Sequence, residues 1–417
     1  MLIRYNNNYL QKLTVISSLI IGIFCLFYCF DYLLQISVSV FLPDIKKQFA
    51  LNDFELGLVG SVFFITYVSA QIPGGYLIDK IGAKKMAVWM TLTCALGALV
   101  MGLSSSFYLL LLSRLLIGLG SSMAFLCAIY AIAQWTPRKF FAIFVGLLQA
   151  LAGIGAIFGQ GPIAYLNESY SWNTLSYGLA IVAIIFCLVF VFLVGSSKNS
   201  SLNTKSSSAP KIPLSTYFKA FKNPDIIRLS ILSFIAWSPV ASLAGFWLIQ
   251  YLTHTSKVTT VIAGSMTTTF WIGLIIGSLT IPIISEIIKR RKPLLIYGFL
   301  IQFIAILIIC LAQQNLYLIS ICLFFLGLIS PLQGFCIVIA KDITPQKGFG
   351  VIGGCLNMFG ALSGGVMQFF IGFLLTYCFA STAHPYSWAF SSYLILAAIG
   401  IYISTVKLRE TYDRKVP

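Results

Sequence analysis

The chain has 417 residues, 59% of them hydrophobic and only 9% charged, with a mean hydropathy of +0.94. A soluble domain carries roughly a quarter charged residues, so this composition excludes an ordinary globule and fits a polytopic membrane protein. The net charge of +16 does not point to nucleic acid, because the basic residues lie in short connections between apolar runs, where they set membrane orientation.

A helix needs about 20 apolar residues to cross a bilayer. Twelve such spans are predicted, over 13–41, 55–78, 86–104, 107–131, 140–165, 173–195, 226–252, 259–288, 293–312, 316–340, 348–376 and 385–406. The first run is too long for the apolar core of a signal peptide and contains Asp31, so it reads as a span and no cleavable leader is expected. The fifth and eleventh runs are rich in glycine, which lets transmembrane helices approach closely. Residues 196–225, rich in Ser, Lys, Asn and Pro, form the one long polar linker. The expected organisation is all-α, with twelve transmembrane helices in two pseudo-symmetric six-helix bundles, 1–195 and 226–417, joined by 196–225.

With the N-terminus inside, 22 of the 27 lysines and arginines fall in cytoplasmic segments and only Lys46, Lys47 and Lys257 on the other side. This bias places both termini in the cytoplasm. The ten cysteines are scattered, with no Cys-x-x-Cys pair, and there are two histidines, His254 and His384. Neither a disulfide framework nor a zinc site is expected. No phosphate-binding loop and no catalytic triad is visible, so the chain reads as neither an ATP-driven pump nor an enzyme, and no cofactor is expected.

Between the second and third spans lies Gly75-Tyr-Leu-Ile-Asp79-Lys80-Ile-Gly82-Ala-Lys84-Lys85. The halves also repeat. Residues 134–160 laid on 342–368, an offset of 208, match at Thr136/Thr344, Pro137/Pro345, Lys139/Lys347, Phe141/Phe349, Gly146/Gly354, Leu148/Leu356 and Gln160/Gln368. An offset of 207 sets Glu286 opposite Asp79 and Arg291-Lys292 opposite Lys84-Lys85, while Pro282 replaces Gly75 and Lys289 replaces Gly82. The fourth span carries Arg114-x3-Gly118-x-Gly120.

The Gly75–Lys85 pattern resembles the signature loop of the major facilitator superfamily, the Arg114 pattern resembles its fourth-helix motif, and two six-helix repeats are its layout. The resemblance implies a gradient-driven carrier of the bacterial inner membrane that works by alternating access. It also implies that Asp79 and the basic residues after it lock the halves together on the cytoplasmic side in the outward-facing state. Gly75 would let the second and eleventh spans approach, and Glu286 and Arg291 would be the second-half counterparts. The fifth span departs from the superfamily's antiporter signature: Gly161-Pro162 is present, but Ile157 stands at the upstream glycine position and Ala164-Tyr165 at the final pair.

Asp31 and Arg114 are the clear charges within spans. A charge at that depth is costly and normally faces a cavity or a partner. Counted from Phe41 and Phe107, their depths differ by about 5 Å, so they are expected to face each other as a proton-coupling pair. A second, neutral set is expected to line the solute cavity: Tyr28, Tyr32, Gln35, Gln134, Gln149, Trp237, Gln250, Gln333 and Asn357, with Tyr130, Trp247, Gln302 and Gln368 as further members. Such groups suit a small polar solute. The expected activity is proton symport of a small hydrophilic nutrient such as an amino acid, by a functional monomer whose partners are the solute, protons and the bilayer. Export of a drug or siderophore-like metabolite, and a non-transporting sensor on a carrier fold, are the alternatives.

Overall fold

The computed structural model describes residues 7–135, 141–194, 223–343 and 349–411. Among the described residues, twelve helices are long and apolar enough to span a membrane. In chain order they are α1 (Asn7–Phe49), α2 (Asp53–Ile81), α3 (Ala83–Gly102), α4 (Phe107–Ala133), α5 (Phe141–Asn167), α6 (Trp172–Phe192), α7 (Pro224–Thr255), α8 (Thr260–Ile288), α9 (Lys292–Ala312), α10 (Leu316–Asp342), α11 (Ile352–Cys378) and α12 (Pro385–Lys407). No strand occurs among the described residues. All but the last few positions of the expected linker, and both Thr-Pro turns of the repeat, lie outside the described residues.

The even-numbered helices up to α10 all start at the end opposite the basic loops, and each starts on a side-chain cap. Asn52 and Glu55 form a reciprocal capping box on α2. Ser106, Ser171, Thr259 and Asn315 cap α4, α6, α8 and α10. Each cap satisfies a backbone N–H that the helix itself leaves open.

At the opposite end, α2 turns into α3 through one residue. Gly82 has φ 82° and ψ 156°, a region that is nearly exclusive to glycine. The position that repeats it, Lys289, also has positive φ, but at 52° with ψ 37°. That is the left-handed helical basin, which a side chain tolerates at a cost. The two turns therefore share a reversal of hand, and the replacement of Gly82 by Lys289 in the repeat is explained by the milder geometry of the second turn.

Within the first half α1 packs along α5, and α3 along α4 and α6. The second half repeats this, with α7 along α11, α8 along α10 and α9 along α12. The pairs α2–α11 and α5–α8 join the halves. Helices α3, α6, α9 and α12 stand at the periphery and expose rows of large apolar side chains, among them Trp89, Ile185, Phe192, Leu311 and Ile395. In water such rows would be a liability; in a bilayer they are the lipid face.

Replacing Gly82 by Ala is expected to lower stability by about 1–3 kcal/mol, whereas Lys289→Gly stays close to neutral, because relief of strain offsets the added freedom of the unfolded chain. Thermal unfolding of the two variants in detergent checks this. An Ala at position 82 that melts like the parent would rule out the strained-turn account.

Candidate functional site

Residues from both halves surround a central cavity with about 470 Å³ of empty space, part of it open to solvent. It is lined by Tyr28, Tyr32 and Gln35 of α1, Phe64 and Tyr67 of α2, Phe125 of α4, Gln149 of α5, Trp237 of α7, Gln333 of α10, and Asn357 and Ala361 of α11. Seven of the residues expected to line a cavity are thus brought together from five helices. Gln149 and Asn357 are also equivalent under the 208-residue offset, so each half supplies one carboxamide from its fifth helix. The amides of Gln35, Gln149, Gln333 and Asn357 make no hydrogen bond to any described side chain or backbone group. Tyr28 and Tyr32 meet edge to face, ring centroids 5.2 Å apart, and Tyr28 also meets Phe125 at 5.5 Å.

The remaining polar candidates are elsewhere. Gln250 is 6% exposed and does not reach the cavity lining. The side chain of Gln134 lies outside the described residues. Tyr130 is 39% exposed and is not part of the lining. Gln302 donates to the Ile235 carbonyl (3.2 Å), Gln368 to the Ala241 carbonyl (2.6 Å), and the Trp247 indole to the Gln368 carbonyl (3.2 Å). These three hold helices together. Phe64, Tyr67, Phe125 and Ala361 line the cavity without having been singled out, since an apolar residue in an apolar helix carries no mark of its facing.

Asp31 and Arg114 are both buried, at 2% exposure, but no ion pair joins them. Arg114 donates from Nε to the Val59 carbonyl (3.3 Å) and lies 4.8 Å over the Phe63 ring. Asp31 sits beside the Ser121 hydroxyl, two helical turns further along α4. Each retains one buried atom without a partner, Oδ1 of Asp31 and Nη1 of Arg114. The expected pairing fails for a geometric reason. Helix α1 runs on through Pro43 to Phe49, where Gln48 accepts from the Trp172 indole at 2.9 Å, so depth along α1 is counted from Phe49 rather than from Phe41. Asp31 is therefore about 27 Å from that end, against about 10 Å for Arg114.

The halves meet tightly at the capped end. The Phe54 amide donates to Thr376 Oγ1 (2.8 Å) and Ser61 Oγ to the Gly365 carbonyl (2.8 Å), so α2 is tied to α11. A Cβ on Gly57 would stand 2.7 Å from the Gln368 carbonyl oxygen, closer than packing allows. Deeper in, Gln160 of α5 is a fully buried hub. Its Nε2 donates to Ser39 Oγ (3.0 Å) and to the Ala244 carbonyl (2.8 Å), and its Oε1 accepts from the Trp271 indole (2.6 Å). Ala244 belongs to the π-helical stretch Pro239–Trp247 of α7, as does Ala241, which accepts from Gln368. The two repeat-related glutamines thus hold the same widened stretch of backbone. Their identity in the repeat was the one signal that could have exposed this. At the basic end the picture reverses: Cβ atoms on Gly75, Gly146 or Gly354 would meet nothing within 4 Å among the described residues.

In the signature loop, Lys80 and Lys85 are exposed, Lys84 Nζ donates to the Val191 carbonyl (3.0 Å), and the Asp79 side chain lies outside the described residues. In the second half Arg291 bridges Glu286 (2.9 Å) and Asp342 (3.2 Å) and donates to Ser285 (2.6 Å). Burial pulls the Arg291 guanidinium down, but the hydrogen bonds and charges of Glu286 and Asp342 outweigh it and leave it more basic than usual. Glu410 accepts from the backbone amides of Arg291 (2.8 Å) and Lys292 (3.2 Å), capping the start of α9.

A sequence profile described as the Major Facilitator Superfamily matches residues 23–262. The sialic acid transporter NanX of Escherichia coli (strain K12) is 26% identical over 354 residues, covering 81% of this chain and 82% of that transporter. The probable sulfoacetate transporter SauU of Cupriavidus necator is 27% identical over 179 residues, a match that spans 43% of this chain and 42% of SauU. Among solved structures, a bacterial homolog of the human lysosomal transporter Spinster, in an inward-facing and unoccupied conformation, superposes with a TM-score of 0.69 at 16% identity, covering 93% of both chains.

Removing the hub tests whether it holds the capped end shut. Gln160→Leu loses the two hydrogen bonds that cross between the halves, to the Ala244 carbonyl and from the Trp271 indole, of about 1 kcal/mol each, enough to shift a two-state equilibrium roughly thirtyfold toward separation at that end. Spin labels at the exposed positions Glu168 and Lys257 should show a longer distance population in the variant, and an unchanged distribution would exclude the latch.

Proposed function

The chain belongs to the Major Facilitator Superfamily, and from that premise we propose that it is a secondary carrier moving a small polar solute through the central cavity by alternating access. One observation carries this reading: four carboxamides with no described partner converge from both halves, together with Trp237 and two tyrosines, on a cavity between bundles that are closed at one end and apart at the other. The relatives are transporters by name, so the chain is a carrier and not an enzyme. Sulfoacetate and sialic acid, the solutes in those names, replace amino acids as the guide to solute size and polarity.

In this reading the protein lies in the bacterial inner membrane with its basic loops in the cytoplasm, and the conformation seen here is the inward-facing one. One chain completes the cavity, so a monomer suffices. The departure of α5 from the antiporter pattern favours import over export. When the cytoplasmic end closes, Gly75 is the place where α2 meets α11, and Asp79, Lys80, Lys84 and Lys85 form the lock, with Gly82 setting the turn and Glu286 and Arg291 as its second-half counterpart. In the present state that end is free of such contact at Gly75. Loss of one charge-assisted bond of about 1.5–3 kcal/mol predicts that Asp79→Asn slows transport on the order of tenfold or more, with insertion and melting unchanged; unaltered kinetics would remove the lock.

Asp31 is the proton site in this reading. It is buried, next in the chain to Tyr32 of the cavity wall, with one oxygen unpartnered. A carboxylate so placed is costly while charged and can be neutralised by a proton. Asp31→Asn is expected to abolish accumulation against a gradient in proteoliposomes while sparing solute exchange, which moves no net proton. Accumulation that persists with the parental pH dependence would assign coupling elsewhere.

A further inference from the structure

The charge of the cavity separates this chain from the acids for which its relatives are named. Among the described residues that line it there is no lysine, arginine or histidine. Arg114 is the one basic residue deep within a described span; its Nη1 has no partner, but its side chain is not part of the cavity lining. It bonds the Val59 carbonyl and covers the Phe63 ring, which in turn stacks on Tyr67 at 5.9 Å. The residue next to the lining residue Tyr32 in the chain is a buried carboxylate, Asp31. A carboxylate or sulfonate entering here would lose its hydration without meeting a cation, which is costly, and would approach a like charge whenever Asp31 is ionised.

The groups that do line the site favour another chemistry. Each free carboxamide offers two donors and an acceptor, so together they can accommodate several hydroxyl groups whatever direction each one faces. Trp237, Phe64 and Phe125 supply flat apolar surface for the C–H face of a ring or chain. We propose that the solute is uncharged and hydroxyl-rich, of the sugar or polyol class, and that this chain does not carry organic acids of the kind its relatives are named for. The inference rests on the carrier reading above and adds the charge and chemical class of the solute.

Matched pairs test it. The purified full chain in proteoliposomes is given radiolabelled D-glucose against D-glucuronate, and galactitol against D-galactonate, each pair differing by a carboxylate. The neutral member should enter at least about tenfold faster, the ratio that 1.4 kcal/mol of discrimination gives, and Trp237→Ala should abolish that entry. Tyr32→Arg, placing a cation on the wall, should shift the preference toward the acid by about the same factor; the comparison in the parent protein stands even where this variant fails to fold. Acids entering as fast as their neutral partners would overturn the inference and leave the carrier reading intact. Entry of neither class, or entry indifferent to Trp237→Ala, would overturn both.

Discussion

A polar side chain inside a bilayer has no water to turn to, so it must find a protein partner or face a cavity. That constraint sorts the glutamines of this chain. Gln160, Gln302 and Gln368 are nearly or fully buried and donate to backbone carbonyls across helix interfaces. Gln35, Gln149 and Gln333 make no such bond and lie on the cavity. The same residue type serves as a clamp or as part of the cavity wall according to whether its helix face meets another helix or an opening. Around this division the rest is arranged: apolar faces of α3, α6, α9 and α12 to lipid, and the polar faces of α1, α5, α7, α10 and α11 to the centre.

The π-helical stretch of α7 gives the clamps their purchase. Pro239 supplies no backbone donor, and a widened helical turn breaks the regular ladder. Gln160 and Gln368 reach this stretch from opposite halves and bond the carbonyls of Ala244 and Ala241. One of these bonds crosses between the bundles and the other stays within the second. Separation of the halves at the capped end breaks the first and spares the second. A repeat-related pair therefore performs two different jobs, one holding a conformation and one holding a fold, because α7 belongs to only one of the two halves.

The sequence made the twelve spans legible because length and hydropathy are set by bilayer thickness. Most of the cavity was legible too, since a glutamine or asparagine in an apolar run has few reasons to be there. Facing was not legible for Phe64, Tyr67 and Phe125, which look like any lipid-facing ring. Gln250 misled in the opposite way: it is polar and buried but off the cavity. The depth of Asp31 was misread because it was counted from Phe41, whereas α1 continues through Pro43 to Phe49, held by Lys46, Gln48 and Asp44 to neighbouring helices.

That extra length has a consequence for the two buried charges. Had α1 ended at Phe41, Asp31 and Arg114 would stand level and neutralise each other as a fixed pair. Instead they occupy different levels of the same bundle, each with one buried atom unsatisfied. Arg114 is compensated by a carbonyl and an aromatic face, and because guanidinium holds its proton at any physiological pH, it cannot be relieved by titration. A carboxylate can. Keeping the two apart is therefore what the proposal of Asp31 as the proton site requires, since a closed salt bridge with Arg114 would hold the carboxylate charged.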